Sequence, residues 1–197
     1  MGEYKPKIEY VDEAVLPTEY GEFRIRGYRS PDCQEYVVLI KGDVAGKNAL
    51  VRVHSACITG DVFHSRRCDC RLQLEESLCM IEQEGEGVII YGASQEGRGI
   101  GILNKIRAYH LQDEGYDTVE ANKKLGFLND YRDFDAAYEI IKHLKVAKVR
   151  LLTNNPDKLR GFTEHSIPVE RVPIIIKPDK INRKYLETKK KKMGHLL

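Results

Sequence analysis

Apolar residues recur at two different spacings after residue 70, and this alternation limits the fold more than any other feature of the chain. Helical spacing predicts three helices, marked by Leu74, Leu78 and Ile81, by Ile102, Leu103, Ile106 and His110, and by Phe134, Ala137, Ile140, Ile141 and Leu144. Continuous apolar runs predict strands at 87–91, 149–152 and 172–176, and Pro156 opens a further helix. Strands that alternate with helices are typical of crossover units in an α/β sheet.

The first half of the chain carries strand signals instead. Short β-branched runs predict strands at 23–28, 35–40 and 49–53, and the turn-rich segment 41–48 favours an antiparallel arrangement. The predicted fold is therefore α/β: a mixed sheet with antiparallel hairpins in the first half, α/β crossover units in the second half, and helices on the faces. We expect one domain over 1–197, with a loosely ordered arm at 1–20 and a basic helix or tail at 180–197.

Charge and cysteine content narrow the class of protein. The formal net charge of +2 gives no strong attraction to nucleic acid, and no apolar run approaches the ~20 residues that a membrane-spanning helix needs. Five cysteines without an export signal favour a reducing cytoplasm over a disulfide framework. The lysine run at 189–192 is typical of a solvated helix face, with contacts to an anionic substrate or partner as the alternative.

Three of the cysteines have a spacing that suits a metal. Cys68 and Cys70 have one residue between them at a predicted helix start, and Cys57 lies upstream at the end of a predicted strand. Three thiolates leave one tetrahedral position for water, as in catalytic zinc sites, and Arg66 and Arg67 would offset their negative charge. Spacing alone leaves two alternatives: a closed structural site completed by His54 or His64, and no metal at all. Cys33 and Cys79 show no functional pattern.

Three further segments could contact anions. The glycine-rich turn at 97–101 contains Arg98 and precedes a helix, which favours phosphate, although a simple tight turn fits equally well. Residues 153–158 leave a strand and end at Lys158, so they could hold an anion or merely cap a helix. Asp130 and Arg132 form an acid–base pair, a pattern that surface turns also produce.

Several motifs in fixed order resemble the GTP cyclohydrolase II family, from about residue 20 to the end. They are Arg-Val-His-Ser before Cys57, Thr-Gly-Asp at 59–61, Arg-Cys-Asp-Cys at 67–70, Gln-Glu-Gly-Arg at 95–98 and the segments 105–109, 115–122, 151–156 and 192–197. The resemblance implies hydrolysis of GTP to formate, pyrophosphate and a diaminopyrimidine ribosyl phosphate, the first step of riboflavin biosynthesis. It also implies a homodimer. A chain of 197 residues has no room for a fused second synthase, so none is expected within it.

The resemblance also implies roles for individual residues. Cys57, Cys68 and Cys70 would hold Zn²⁺, which activates water for attack at C8, and Mg²⁺ would assist at the triphosphate. The implied GTP contacts are Arg52, Val53, His54, Ser55, Ala56, Gln73, Glu96, Gly97, Arg98, Thr118, Thr153 and Lys158. Asp130 would accept a proton. Arg132 would attack the α-phosphate or, as is physically easier for a guanidinium, clamp it.

Two positions depart from the family pattern. Ala56 stands where the family usually has Glu, and Arg71 stands where Gly is usual. They leave open a paralogue that opens the ring but retains the formyl group, and a non-catalytic zinc-stabilised binding module. Tyr109 favours the full reaction, because family members that stop after ring opening lack an aromatic hydroxyl there.

Overall fold

A computed structural model describes residues 8–128, 130–177, 180–182, 186–188, 190, 194 and 196. Its strands are β1 (Glu9–Thr18), β2 (Gly21–Arg29), β3 (Glu35–Lys41), β4 (Asn48–Ser55), β5 (Gly87–Gly92), β6 (Lys148–Leu152) and β7 (Val169–Val172). Its helices are α1 (Ile58–Asp61), α2 (Cys70–Glu84), α3 (Gly101–Asp113), α4 (Thr118–Lys124), α5 (Asp135–His143) and α6 (Pro156–Glu164). A 3-10 turn, Glu96–Gly99, lies between β5 and α3.

The strands form one mixed sheet in the order β1-β2-β3-β5-β4-β6-β7, and this confirms the predicted α/β fold. The neighbouring pairs β1–β2, β2–β3 and β3–β5 are antiparallel. The pairs β5–β4, β4–β6 and β6–β7 are parallel. The expected antiparallel pairing of 49–53 is wrong. Because β5 occupies the position beside β3, strand β4 pairs with β5 and β6 in parallel.

Three further elements differ from the prediction: β1, β7 and α4. Residues 9–18, expected in a loosely ordered arm, form β1 and pair with β2 from Glu9 to Thr18, so backbone hydrogen bonds order a strand whose side chains are mostly exposed. The last strand is Val169–Val172 and not 172–176, because Val172 is the residue that pairs with the end of β6. Helix α4 was not predicted, although Asp117 caps it in a capping box with Glu120.

Helices cover both faces of the sheet, as predicted. Val51 of β4 packs in a core with residues of α5 and α6, whereas Leu50 packs against Leu78 and Ile81 of α2 on the opposite face. The chain therefore leaves β4 toward one face, through α2, and reaches α5 on the other face after β5. A crevice forms at the carboxyl ends of neighbouring parallel strands where such connections diverge, and ligands commonly bind there.

The structure describes the two ends of the chain only in part. Half of the predicted basic segment at 180–197 lies outside the described residues, and so do residues 1–7 of the predicted arm. No helix in the described part of the chain is long and apolar enough to cross a membrane.

Candidate active site

A cleft opens where β4, β5 and β6 end, and nearly all of the predicted site residues line it. They are Arg52, His54, Ser55, Ala56, Cys57, Cys68, Cys70, Gln73, Glu96, Gly97, Arg98, Tyr109, Thr118, Arg132, Thr153 and Lys158. Two predicted residues lie outside this lining. Val53 is buried in the core, and Asp130 reaches the cleft only through its contact with Arg132. The structure thus brings the predicted residues together, while their individual roles stay predictions.

The three cysteines converge at one end of the cleft. Among the described residues, the Sγ atoms of Cys57, Cys68 and Cys70 form a group of potential metal ligands that lie within 4.8 Å of one another. Cys57 directly follows β4, and Cys70 begins α2. Hydrogen bonds from Cys68 and Cys70, together with the charge of Lys105, hold the pKa of the Cys57 thiol well below its usual value. A cluster of thiolate donors suits zinc.

The neighbouring histidines favour the open site over the closed one. His54 Nε2 lies 3.2 Å from Asp61 Oδ2, and burial lowers the pKa of His54 so that its ring is neutral at pH 7. His64 is exposed. Within the described residues, neither histidine joins the sulfur cluster. The residues present therefore fit a zinc ion with three protein ligands and one position left for water or substrate.

Asp61 fixes the junction between β4 and α1. Its Oδ2 accepts hydrogen bonds from the backbone N–H of Cys57 and from the hydroxyl of Tyr91, each at 3.0 Å. The His54 ring stacks on Tyr91 with 5.4 Å between centroids. This buried network holds Cys57 at a fixed place beside the cleft.

Lys105 brings a positive charge into contact with one of the cysteines. Its Nζ lies 3.1 Å from Cys57 Sγ and 2.7 Å from Glu96 Oε1. Burial opposes the charge of Lys105, but the Cys57 thiolate and the Glu96 carboxylate hold its pKa above the usual value. Arg67, expected to offset the thiolate charge, instead donates to Asp113 Oδ1 at 2.6 Å and lies over the Tyr109 ring.

Tyr109 lies next to the sulfur cluster. Its hydroxyl is 3.1 Å from Thr59 Oγ1, which in turn is 3.7 Å from Cys57 Sγ. Burial raises the pKa of Tyr109, so the phenol keeps its proton at neutral pH and can donate it.

The glycine-rich segment adopts a left-handed conformation. Gly97, Arg98 and Gly99 have φ values of 61°, 64° and 87°, a region that glycine enters without steric cost. A Cβ on Gly99 would lie 3.0 Å from Tyr131 Cβ, and the carbonyl of Arg98 accepts the N–H of Tyr131 at 3.0 Å. The turn is thus packed against the segment that carries Arg132, with Arg98 lining the cleft.

The segment after β6 caps a helix, while its contact with an anion stays a prediction. Asn155 caps α6 by accepting the N–H of Asp157 at 3.0 Å. Lys158 is buried, donates to the carbonyl of Val53 at 2.7 Å and lies 4.8 Å from the Phe134 ring centroid. The capped helix therefore carries an ammonium group that contacts β4 and lines the cleft.

Asp130 and Arg132 form a paired group beside Ser55. Arg132 Nε donates to Asp130 Oδ1 at 2.8 Å, and Arg132 Nη1 donates to Ser55 Oγ at 3.2 Å. Burial works against the Asp130 charge, but the hydrogen bonds and charge of Arg132 hold the pKa of Asp130 below its usual value. A carboxylate with a lowered pKa is a weak base, so this geometry favours an Arg132 clamp over an Arg132 nucleophile.

Three buried polar atoms near the cleft have no hydrogen-bond partner among the described residues: Arg52 Nε, His54 Nδ1 and Thr118 Oγ1. Arg52 is otherwise held by the carbonyl of Leu152 at 2.9 Å and by Gln73 Oε1. Burial lowers the pKa of Arg52 to about 10, which still leaves it charged at neutral pH. Buried polar groups are normally paired, so these atoms suggest positions for a ligand.

Three residues that organise the site were not predicted from the sequence: Asp61, Gln95 and Lys105. Gln95 accepts from Ser55 Oγ and donates to the carbonyl of Asp133, each at 2.7 Å. A usable signal existed for Lys105, which precedes Tyr109 by four residues and so shares its helix face. No sequence pattern pointed to Asp61 as the partner of His54.

Comparison with known proteins identifies the family of this chain. Residues 9–173 match the family described as GTP cyclohydrolase II. A "GTP cyclohydrolase-2" of Archaeoglobus fulgidus is 52% identical over 191 residues, which cover 96% of this chain and 50% of that protein. A "Riboflavin biosynthesis protein RibBA" of Chlorobium phaeovibrioides is 53% identical over 193 residues, covering 96% of this chain and 47% of that protein.

A RibBA protein of Bacillus cereus is also 53% identical, over 94% of this chain and 47% of its own length. The chain thus spans about half the length of the curated relatives that it matches. Since the family match covers most of the chain and half of the aligned residues are shared with these relatives, the chain belongs to the GTP cyclohydrolase II family.

Proposed function

We propose that this chain hydrolyses GTP to formate, pyrophosphate and a diaminopyrimidine ribosyl phosphate, the first step of riboflavin biosynthesis. The observation that carries the proposal is a cluster of three cysteines at the end of a strongly basic cleft. Six cationic side chains line the cleft: Arg52, Arg67, Arg98, Lys105, Arg132 and Lys158. Glu96 is the one carboxylate in this lining, so the cleft suits a polyanionic triphosphate although the net charge of the chain is only +2.

Cys57, Cys68 and Cys70 would hold a zinc ion close to the base of the nucleotide. Bound there, zinc would supply a Lewis acid with one open position. Tyr109, protonated and hydrogen-bonded to Thr59, is placed to give a proton to a leaving amine near the cysteines. Arg52 Nε and His54 Nδ1 offer an unused donor and an unused acceptor to the substrate.

Arg132 would act at the phosphates. Its pairing with Asp130 fixes the guanidinium while Ser55 holds one of its nitrogens, an arrangement that clamps a transferring phosphate. Arg98 and Lys158 add positive charge in the same cleft. We further propose that Mg²⁺ accompanies the triphosphate, that the chain forms a homodimer, and that it works in the cytoplasm, where its five free cysteines stay reduced.

Product analysis tests the proposal. The purified protein, incubated with GTP, Zn²⁺ and Mg²⁺, should release formate and pyrophosphate in equal amounts. Cys68→Ser should abolish formate release, whereas Cys33→Ser, at an exposed position, should leave it unchanged. Pyrophosphate without formate would instead identify an enzyme that retains the formyl group, the alternative that Ala56 in the cleft lining raises. Release of neither product would contradict both.

A further inference from the structure

Lys105 links the cysteine cluster to the glycine-rich turn. It extends from α3, keeps only 12% of its side chain exposed, and donates both to Cys57 Sγ and to Glu96 Oε1. Glu96 in turn accepts the backbone N–H of Ile58 and that of Gly97. The ammonium group is therefore held in one place by a carboxylate that is itself fixed from two sides.

A buried ion pair with Glu96 would explain why Lys105 is charged, but not why its Nζ also lies against a sulfur. Three thiolates around a divalent ion leave one surplus negative charge, which weakens the metal as a Lewis acid. A hydrogen bond from an ammonium group withdraws electron density from the sulfur that accepts it. The guanidinium of Arg67 instead contacts the Asp113 carboxylate and the Tyr109 ring.

We propose that Lys105 is a positioning residue for the hydrolysis at the base, acting on the metal site through its hydrogen bond to the Cys57 thiolate. This inference rests on the zinc site of the proposed function. Its consequence is specific: loss of the ammonium should change the electronic properties of the cysteine site and slow turnover, with little effect on GTP binding.

Cobalt substitution provides a readout that does not need GTP turnover. Co²⁺ bound by thiolates gives a sulfur-to-metal charge-transfer absorption, and a sulfur that loses a hydrogen bond donates at lower energy. In Lys105→Met this band should move to longer wavelength, whereas Lys105→Arg should keep it near its original position. Lys123→Met, which removes the same charge from an exposed site on α4, should leave the band unchanged.

A second variant separates the proposal from a purely structural ion pair. Glu96→Gln removes the partner carboxylate but leaves the ammonium beside Cys57, so its band should stay near that of the parent. A shift in Glu96→Gln as large as that in Lys105→Met would overturn the proposal. If Lys105→Met does not fold, Lys105→Gln, which keeps a donor for Glu96, should show the same shift, and its absence would count equally against the idea.

Kinetics complete the test. Lys105→Met should lower kcat by about 10–100-fold, the usual loss for an outer partner of a metal ligand, with KM for GTP changed by less than about threefold. If Lys105→Met has an unshifted band and an unchanged kcat, the proposed role of Lys105 is refuted while the zinc site stands. A parent protein that shows no thiolate band with Co²⁺ would refute the zinc site and this inference together.

Discussion

Replacing Gly60 with alanine should separate metal binding from folding. Gly60 lies in α1, directly behind the cysteine cluster. A Cβ there would stand 3.0 Å from Cys68 Sγ, 3.1 Å from Cys57 Sγ and 3.3 Å from Cys70 Cβ. Each of these atoms would have to move by a few tenths of an ångström. Because metal–ligand distances tolerate only about 0.2 Å, the sulfurs of Cys57 and Cys68 would be displaced beyond what a zinc site accepts.

The magnitude follows from this displacement. Disturbing the shell around metal ligands costs about 10–100-fold in metal affinity, which is about 1.4–2.7 kcal/mol of metal-linked stability. In a domain of this size that lowers the melting temperature of the zinc-bound protein by about 3–10 °C. Without metal, the thiol side chains can rotate aside, and the replacement of a helical glycine by alanine contributes up to about 1 kcal/mol of stability. The metal-free variant should therefore melt at or above the temperature of the parent.

The assay is a zinc titration against a chromophoric chelator, with thermal melts of the metal-free and zinc-bound forms. Gly27→Ala is the matched control, because a Cβ at Gly27 would meet its nearest neighbour, Val11 Cβ, at an ordinary 3.5 Å. Equal zinc affinity in Gly60→Ala and the parent would refute the reasoning. So would a metal-free variant that is strongly destabilised, since the clash would then act on the fold itself.

Two further predictions concern Tyr109 and Asp130. In Tyr109→Phe the ring stays beside Arg67 and Lys105 but the hydroxyl is lost, so the ratio of formate to pyrophosphate should fall; an unchanged ratio would exclude the hydroxyl from formate release. Because Arg132 lowers the pKa of Asp130, their pairing should add stability above the unfolded pKa of about 3.9 and lose it as pH falls through the lower folded pKa. Melts from pH 6 to pH 3 should show a smaller acid-induced loss for Asp130→Asn than for the parent, and identical profiles would contradict this.

The second half of the fold follows from local patterns. Helix α2 (Cys70–Glu84) has a periodic apolar face and a left-handed cap at Gly85, so its sequence alone defines both its face and its end. Strand β4 could not be placed in the same way. Its residues predict a strand, but its parallel pairing arises because β5 lies between β3 and β4. This long-range contact cannot be predicted from the local sequence of β4.

In the candidate site, too, local sequence patterns predict some features, while others depend on long-range contacts. Alternation along β4 predicts that Arg52 and His54 share one face, and the motif around the cysteines indicates a metal. The partners of these residues come from other elements: Gln73 from α2 holds Arg52, and Asp61 from α1 holds His54. Lys105 combines both: its spacing from Tyr109 predicts a shared helix face, but a lysine on a helix is usually solvated, and the contact with Cys57 depends on the close approach of α3.

The two ends of the cleft are joined by a closed ring of contacts. From Cys57 the chain enters α1 at Ile58, whose N–H is bound by Glu96 at the start of the glycine-rich turn. That turn packs through Gly99 on Tyr131, and the adjacent Arg132 donates back to Ser55, two residues before Cys57. A substrate whose base and phosphates react at separate places needs those places held at a fixed distance. A change in the glycine-rich turn should therefore disturb both of the proposed hydrolyses together, because the turn connects the segment of the cysteine cluster to the segment of Arg132.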